Sequence, residues 1–386
     1  MTTRIEPKAL RRVLCIRLDN MGDVLMTTPA IRALKDSFPR LDITLLASRL
    51  GAEIVPFIPT IDDVITYDAP WVRTYGETPN PKSIADMAAR LATREFDAAF
   101  IFTVYTQSPL PAALLTYLAR IPIRVAHCHE NPYHLLTHWL PDPEPTRFIR
   151  HEVERQLQLV QALGASTLDR RLTLRLPVRQ IASARRLLSR VCGRSAADEW
   201  VIIHPGGSEE RRLYGFENFL EVARLLRAER KVGIIITGSP AEAPMTEALA
   251  AAIGPGAVSL GGKTSIGELA ALISLAPLLI SNNTSAVHLA AAVGTPVVDV
   301  YARTNPQHTP WMVPSRVLYF DVPCRDCERA LCSKTEHPPL QTVAPVEVVR
   351  AAQSLLDSRK VAGPLHRSRP RPTTSADSFV RAPGEF

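Results

Sequence analysis

The sequence predicts an α/β protein made of two doubly wound domains, each with a parallel sheet covered by helices. Short apolar runs of strand length alternate with stretches of helix length, which is typical of parallel sheets with crossover helices. This pattern begins near residue 13 and starts again near residue 200. Because a single core rarely grows beyond about 250–300 residues, a chain of 386 residues is expected to form two domains.

The first half opens with a strand, a polar turn and a helix. VLCIRL is an apolar run broken only by Arg17, DNMGD is polar, and TTPAIRALKDSF has apolar residues at helical spacing. We expect Thr27 or Thr28 to cap this helix, with Pro29 in its first turn. Strands follow at DITLLAS and DVITYD. The proline clusters at 70–81 and 141–145 predict loops, either ordinary surface connections or loops on the acceptor side or between domains.

The second half repeats this order of elements. WVIIH, KVGIIITG, AVSLGG, LLIS and PVVDVY are typical of strands, and FENFLEVARLLRAE, SIGELAALISL and the stretch from Ser285 are typical of helices. We assign residues 1–180 to an N-terminal domain and 181–358 to a C-terminal domain, with the boundary in the polar stretch 176–199. Residues 359–386 have few apolar side chains and are expected to form a disordered basic tail.

Charge and composition exclude several classes of protein. Residues 359–386 hold six basic and two acidic residues, so they carry +4 of the net charge of +7, and we expect no nucleic-acid partner. No apolar run reaches the roughly 18 residues of a membrane span, and the start of the chain lacks a signal peptide, so we expect a cytoplasmic protein. Neither glycine loop fits GxGxxG, which argues against a nicotinamide-dependent oxidoreductase.

Asp23 lies in the first βα loop. Ligands of doubly wound sheets bind at the carboxyl ends of the strands, so Asn20, Gly22 and Thr27 are candidates for the acceptor side of a site. We expect Gly22 to permit a backbone conformation closed to other residues. A carboxylate at position 23 could take a proton from a substrate hydroxyl, or it could cap the following helix, and the loop alone does not separate the two roles.

The loop HPGGSEERR opens the second half in the same way. Gly206 and Gly207 would let backbone amides approach an anion, and Ser208 adds a hydroxyl. Arg211 and Arg212 add permanent positive charge with a geometry suited to phosphate oxygens. This loop therefore predicts a diphosphate site; the alternative is a solvated turn with two exposed arginines.

A third polar segment is ISNNTSAVH, in which Asn283, Thr284 and Ser285 precede a helix with His288 near its start. Amides and hydroxyls at a helix N-terminus could hold phosphate. The same residue types are also favoured at any helix start, and a lone histidine is often structural. Phosphate binding is favoured because this segment is the third helix start expected at one cleft.

Cys324, Cys327 and Cys332 have the close spacing of metal ligands, and His337 follows them. Three thiolates and one imidazole would suit zinc, but the usual second pair of ligands is missing. We treat the three cysteines as weak candidates for a structural metal and expect no catalytic metal and no cofactor.

Together these segments resemble glycosyltransferase family 9, the ADP-heptose:lipopolysaccharide heptosyltransferase family. The resemblance covers about Val13 to Leu356 and rests on GDVLMTTPAIRALK, HPGGS with RLYGFENF, TGSPAE and NTSAVHLAAAVGTPVV, in that order. It implies a GT-B fold, in which two Rossmann-like domains face each other across a cleft. The donor nucleotide would bind the C-terminal domain and the acceptor the N-terminal domain.

The resemblance also implies a reaction. An inverting, metal-independent enzyme would move heptose, or a related sugar, from ADP-heptose or another NDP-sugar to a lipopolysaccharide-core or other envelope glycan. Asp23 would be the general base, and Arg212 would neutralise the diphosphate. Glu242 would lie near the ribose hydroxyls, and His288 would hold the phosphates or the donor sugar. A glycolipid acceptor would bring the protein to the cytoplasmic face of the inner membrane, aided by Arg120 and Arg124.

Three segments depart from the family pattern. Asn283 and Ser285 stand in place of an aspartate and a glycine, Tyr214 replaces a tryptophan, and ARTNP at 302–306 replaces GPTDP. Asn283 cannot supply a negative charge, which leaves the identity of the donor sugar open. A catalytically inactive sugar-nucleotide-binding scaffold or sensor in an envelope-polysaccharide pathway is the alternative, and the presence of Asp23 argues against it.

Overall fold

The structure is a computed structural model that describes residues 10–72, 80, 82–191, 199–207, 213–301, 306–319 and 343–362. The chain divides into two compact units, Met1–Arg175 and Leu176–Phe386. Several residues singled out from the sequence lie outside the described residues: Ser208, Arg211, Arg212, Cys324, Cys327, Cys332 and His337, together with 302–305 and 363–386.

The first domain is a parallel six-stranded sheet with the strand order β3-β2-β1-β4-β5-β6. Its strands are β1 (Arg12–Arg17), β2 (Asp42–Ala47), β3 (Asp63–Thr66), β4 (Ala98–Ile101), β5 (Ile123–Cys128) and β6 (His138–Pro141). Its helices are α1 (Met21–Ser37), α2 (Arg49–Ala52), α3 (Lys82–Ala92), α4 (Leu110–Leu118) and α5 (Glu152–Gln161). Side chains of both sheet and helices form its core, among them Leu14, Ile16, Ala99 and Leu115.

The second domain is also a parallel six-stranded sheet, ordered β12-β11-β10-β7-β8-β9. Its strands are β7 (Trp200–His204), β8 (Gly233–Ile236), β9 (Ala257–Ser259), β10 (Leu279–Asn282), β11 (Val297–Val300) and β12 (Ser315–Leu318). Its helices are α6 (Val178–Val191), α7 (Phe216–Arg230), α8 (Ala243–Ile253), α9 (Ile266–Leu275), α10 (Ser285–Val293) and α11 (Pro345–Ala362). It has its own core, which includes Ile203, Phe219, Ile236 and Leu355.

Counted from its own first strand, each sheet has the same order, so the predicted pair of doubly wound domains is confirmed. Val13 of β1 pairs with Ile43 on one side and with Ala98 on the other. The strand order therefore reverses between β1 and β4, and equally between β7 and β10. Loops at the carboxyl ends of these strands are where such folds bind ligands, which locates a candidate site in each domain.

Helix α1 begins six residues before Thr27, so the predicted cap at Thr27 or Thr28 is wrong. Asn20 has the extended backbone of an N-cap, and the chain is helical from Met21. Within the helix the Thr27 hydroxyl donates to the Asp23 carbonyl. The Thr28 hydroxyl donates to the Leu25 carbonyl at 2.6 Å, and this carbonyl is the one that Pro29, which lacks an N–H, leaves without its usual partner.

The division between domains falls after Arg175, not after residue 180. The Arg175 amide donates to the Phe57 carbonyl of the first domain at 2.8 Å. Helix α6 belongs to the second domain, where the Ser183 hydroxyl donates to Glu268 of α9 at 2.6 Å. Helix α11 continues to Ala362, so residues 359–362, expected to belong to a disordered tail, are helical.

Residues 142–145 of the second proline cluster form a loop after β6, as predicted. This loop is anchored, because the side chains of Asp142 and Glu144 are buried and each forms an ion pair with Arg155 at 2.6 Å. The expectation that Arg124 aids contact with a membrane surface is wrong. Arg124 is only 8% exposed. Its guanidinium donates to the carbonyls of Ile121, His134 and Leu135, so it is a structural residue and not a surface charge.

Within the residues that the structure describes, every helix is too short or too polar to cross a bilayer.

Candidate functional site

Arg17 organises the site of the first domain. It is the last residue of β1, and its side chain is fully buried. Each nitrogen of its guanidinium meets a different carboxylate: Nε lies 2.8 Å from Asp19, Nη2 3.0 Å from Asp23 and Nη1 2.5 Å from Glu152. Burial alone would lower the pKa of Arg17, but the three carboxylates outweigh it and hold the pKa above its ordinary value. The guanidinium is thus permanently charged.

Asp23 is the candidate base, and the structure fixes both of its oxygens. Oδ1 contacts Arg17, and Oδ2 accepts a hydrogen bond from the Asn20 amide at 3.1 Å. Its side chain remains 16% exposed. Asp23 is therefore a helix-capping group whose carboxylate is still partly exposed, so its capping contact does not exclude the other role that the sequence left open.

Asp19 is a second carboxylate on the same guanidinium, and the sequence did not single it out. Its side chain is 14% exposed, close to the value for Asp23. Gln107, from the loop after β4, donates to Asp19 Oδ1 at 2.6 Å. The strands β1 and β4 flank the point where the strand order reverses, so this hydrogen bond joins the two loops that define the site.

The three residues predicted for the acceptor side separate in the structure. Asn20 is exposed at the N-cap of α1. Gly22 is buried within the first helical turn, so its conformational freedom is not used. Thr27 is fully buried and its hydroxyl is bonded to the Asp23 carbonyl. Of the three, only Asn20 is placed to meet a ligand.

Behind Arg17 lies a buried polar chain that reaches α5. Gln156 donates to Glu152 at 2.6 Å and to the Thr103 carbonyl at 3.0 Å, and the same carbonyl accepts from Arg155. The His127 ring nitrogen Nε2 lies 3.2 Å from the Arg155 carbonyl. Burial, reinforced by the positive charge of Arg155, lowers the pKa of His127 to about 3. His127 is therefore neutral near pH 7 and adds no charge to this chain.

In the second domain the Glu242 carboxylate packs against the glycine loop. A Cβ on Gly206 would fall 2.0 Å from Glu242 Oε1, so a side chain at this position would displace the carboxylate. The Gly207 amide donates to Oε1 at 2.9 Å, and Oε2 accepts from the amide and hydroxyl of Ser239 at 2.7 and 2.9 Å. The Gly207 amide was expected to bind phosphate, but it already binds this carboxylate.

Asn282 fixes both ends of the glycine loop and was not singled out from the sequence. It is the last residue of β10 and is 1% exposed. Its amide nitrogen donates to the Pro205 carbonyl at 2.6 Å, and its oxygen accepts from the Tyr214 amide at 2.9 Å. Tyr214 is fully buried and its hydroxyl donates to the Val343 carbonyl, so it serves as an anchor.

The start of α10 lies beside this loop. Thr284 is its N-cap, and its side chain accepts from the Ala286 amide. A Cβ on Gly207 would lie 3.4 Å from Thr284 Cγ2, which places the glycine loop against the helix start. Ser285 is the first helical residue and is half-buried. His288 is only 4% exposed, which leaves its imidazole little surface to offer a ligand.

Asn283 is held by two acceptors. Its amide nitrogen donates to Asp299 Oδ2 at 2.7 Å and to the His308 carbonyl at 3.0 Å. Asp299 lies in β11 and is fully buried. Burial raises the pKa of Asp299 from 3.8 to about 8, although the hydrogen bond from Asn283 opposes this shift.

No group of three or more His, Cys, Asp or Glu side chains is arranged to hold a metal ion in the part of the chain that the structure describes. The cysteines at 324, 327 and 332 lie outside that part.

Two consecutive doubly wound domains, one with an anchored carboxylate and one with a glycine loop beside a helix start, define the class of GT-B glycosyltransferases. The family model of glycosyltransferase family 9 (heptosyltransferase) matches residues 84–337, about two thirds of the chain. The chain therefore belongs to glycosyltransferase family 9.

Relatives and solved structures agree with this membership. The lipopolysaccharide core heptosyltransferase OpsX of Haemophilus influenzae is 22% identical over 311 residues, which cover 77% of this chain and 80% of that protein. A family 9 glycosyltransferase from Veillonella parvula has a TM-score of 0.72 at 20% identity, covering 90% of this chain and 98% of that one. The ADP-heptose LPS heptosyltransferase II of Escherichia coli has a TM-score of 0.69 at 19% identity, covering 90% and 99%. At these identities the solved structures establish the fold.

Proposed function

We propose that this glycosyltransferase moves heptose from ADP-heptose to a lipopolysaccharide-core acceptor, with inversion at the anomeric carbon and without a metal ion. The names of two similar proteins, a lipopolysaccharide core heptosyltransferase and an ADP-heptose LPS heptosyltransferase, support this donor and acceptor. The observation that carries the proposal is Asp23, a partly exposed carboxylate held by a buried arginine at the carboxyl end of β1.

Asp23 would act as the general base. It takes the proton of the acceptor hydroxyl while that oxygen attacks the anomeric carbon from the face opposite ADP. The bond from the anomeric carbon to the diphosphate breaks, and ADP leaves with the electron pair. Arg17 and the Asn20 amide hold the carboxylate in one orientation, so no rotamer has to be fixed when the reaction begins.

The donor nucleotide would bind the second domain. Glu242, held by Gly207 and Ser239, would accept hydrogen bonds from ribose hydroxyls. The amides at the start of α10 and the positive end of its dipole favour the diphosphate. Arg212, with Ser208 and Arg211, would neutralise the charge that grows on ADP as it leaves.

The substitution Asp23→Asn tests the assignment of the base. Asparagine keeps the size of the side chain, and its one oxygen can still accept from either Arg17 or the Asn20 amide. It cannot accept the proton of the acceptor hydroxyl. The rate of sugar transfer from ADP-heptose should fall about 10²- to 10⁴-fold. The affinity for ADP, measured by calorimetry, should stay unchanged, and transfer by the wild type should persist in EDTA.

Asp19→Asn is the matched control, because Asp19 contacts the same guanidinium and is similarly exposed. It should slow transfer much less than Asp23→Asn. If instead Asp19→Asn abolishes transfer while Asp23→Asn retains it, the base is Asp19. If the wild type binds ADP-heptose but transfers the sugar to no lipopolysaccharide-core acceptor, the chain is a sugar-nucleotide-binding scaffold.

We also propose that the first domain contacts the membrane surface through α4, at the cytoplasmic face of the inner membrane. Leu114, Tyr117 and Leu118 are spaced to share one helix face and are 44–49% exposed. We call these three residues the α4 apolar face. The exposed Arg120 follows at the end of the helix, so apolar and positive groups lie together as an anionic lipid surface requires.

A further inference from the structure

Asp299 is a buried carboxyl group whose position the fold alone does not explain. It interrupts the apolar strand Val297–Val300, in which all four residues are fully buried. Only one of its oxygens is used: Oδ2 accepts from Asn283, and Oδ1 has no hydrogen-bond partner among the residues that the structure describes. A valine here would avoid the cost of burying a polar group, and among the described residues the carboxyl group has one hydrogen-bond partner, Asn283.

That partner, Asn283, has a fixed orientation. Both hydrogens of its amide nitrogen are used, one by Asp299 and one by the His308 carbonyl. A flipped carboxamide would turn its oxygen toward the His308 carbonyl, which can only accept a hydrogen bond. The flipped form is therefore excluded. Asn283 Oδ1 points away from Asp299 and the His308 carbonyl and can accept a hydrogen bond from a ligand.

Asn283 is partly exposed and lies next to Thr284, the N-cap of α10. A Cβ on Gly207 would lie 3.4 Å from Thr284 Cγ2, and the Gly207 amide donates to Glu242, so both residues lie at the glycine loop. With its nitrogen fully used, Asn283 can only accept hydrogen bonds from a ligand. Phosphate oxygens are acceptors themselves, whereas a hydroxyl can donate.

We infer that Asp299 is a positioning residue that holds the Asn283 carboxamide so that Oδ1 accepts a hydrogen bond from a hydroxyl of the transferred sugar. This inference rests on the proposed function, because it assumes a nucleotide-sugar donor in the second domain. It assigns Asn283 to the transferred sugar and not to the diphosphate. Glu242 would bind the ribose, and the amides at the start of α10 would bind the diphosphate.

The test compares ADP with ADP-heptose by calorimetry, for the wild type and for the variants Asn283→Ala, Asp299→Leu and Asp299→Asn. Affinity for ADP should be the same for all four proteins, because ADP lacks the transferred sugar. Affinity for ADP-heptose should fall about tenfold in Asn283→Ala and Asp299→Leu, the worth of one hydrogen bond. It should be kept in Asp299→Asn, whose oxygen can still accept from Asn283.

The double variant Asn283→Ala with Asp299→Leu separates positioning from a general structural effect. It should lose no more affinity for ADP-heptose than either single variant, because all three lose the same hydrogen bond. Losses that add would overturn the inference. If Asp299→Leu fails to fold, Asn283→Ala, at a partly exposed position, still gives the result.

Two outcomes distinguish this inference from the proposed function. If ADP binds all variants and ADP-heptose binds Asn283→Ala as tightly as the wild type, the inference is wrong and the donor site stands. If the wild type binds neither ADP nor ADP-heptose, the proposed function fails and the inference fails with it.

Discussion

Asp299 is the residue whose protonation should be most visible in stability. Its pKa is about 8 in the folded domain, against 3.8 ordinarily. The folded state therefore binds a proton more tightly than the unfolded state does. The stability that this proton provides is complete below about pH 4 and is lost progressively as the pH rises to 8.

Replacing Asp299 by asparagine should remove this loss of stability with rising pH. Between pH 4 and 8, the free energy of unfolding of Asp299→Asn should rise relative to the wild type, by up to about 1.4 kcal/mol for each pH unit. Below pH 4 and above pH 8 the difference should be constant. Urea denaturation of both proteins at several pH values measures it, and a difference independent of pH from 4 to 8 would contradict the assignment.

Individual residues also show how much of the candidate site could be predicted from the sequence alone. Asp23, Asn283 and Thr284 were selected from segments that follow strands, and Glu242 from the family resemblance. The structure has Asp23 in the first turn of α1, and Asn283 and Thr284 between β10 and α10. Arg17 was visible as the one break in an apolar run, but its meaning depends on Glu152, which is 135 positions away. Contacts of this separation leave no local pattern, so neither the pairing nor the burial of Glu152 was predictable.

Among the elements, the strands that were named from apolar runs are correct, whereas β4, β5, β6 and β12 were not singled out and the start of α1 was misplaced. The apolar runs from DITLLAS to PVVDVY are all strands, because burial on both faces of a parallel sheet requires such runs. The start of α1 was misplaced because Asn20, Thr27 and Thr28 are all good N-caps. The apolar side chains between them, buried against the sheet, decide in favour of Asn20.

Strand β1 offers a direct comparison of two arginines. Arg17, at its end, is fully buried with three carboxylates, whereas Arg12, at its start, is 47% exposed and pairs with Glu95. Arg17→Met should lower the free energy of unfolding by about 3–5 kcal/mol, because it leaves the buried Glu152 carboxylate and the two partly exposed carboxylates without their cation. Arg12→Met should cost less than about 1 kcal/mol. Chemical denaturation measures both, and equal costs would show that the Arg17 network does not stabilise the domain.

For the molecule as a whole, the proposed membrane contact makes a separate prediction. Replacing Leu114 and Leu118 of the α4 apolar face by glutamine should weaken binding to anionic phospholipid vesicles roughly tenfold or more, because each leucine would lose about 1 kcal/mol of apolar burial. Transfer to a soluble acceptor should be unchanged. Vesicle co-sedimentation measures the binding.

Leu168→Gln is the control for this prediction, since Leu168 is also an exposed leucine of the first domain but does not belong to α4. It should leave vesicle binding as it is. Binding that is equally strong in all three proteins would remove α4 from consideration as the contact.

The separate cores of the two domains make the enzyme suited to double-mutant cycles. Substitutions at Asp23 and at Asn283 perturb different cores, so their effects on stability should simply add. Any departure from additivity in the rate of transfer then cannot come from folding. It would measure how strongly the two sites depend on each other during sugar transfer.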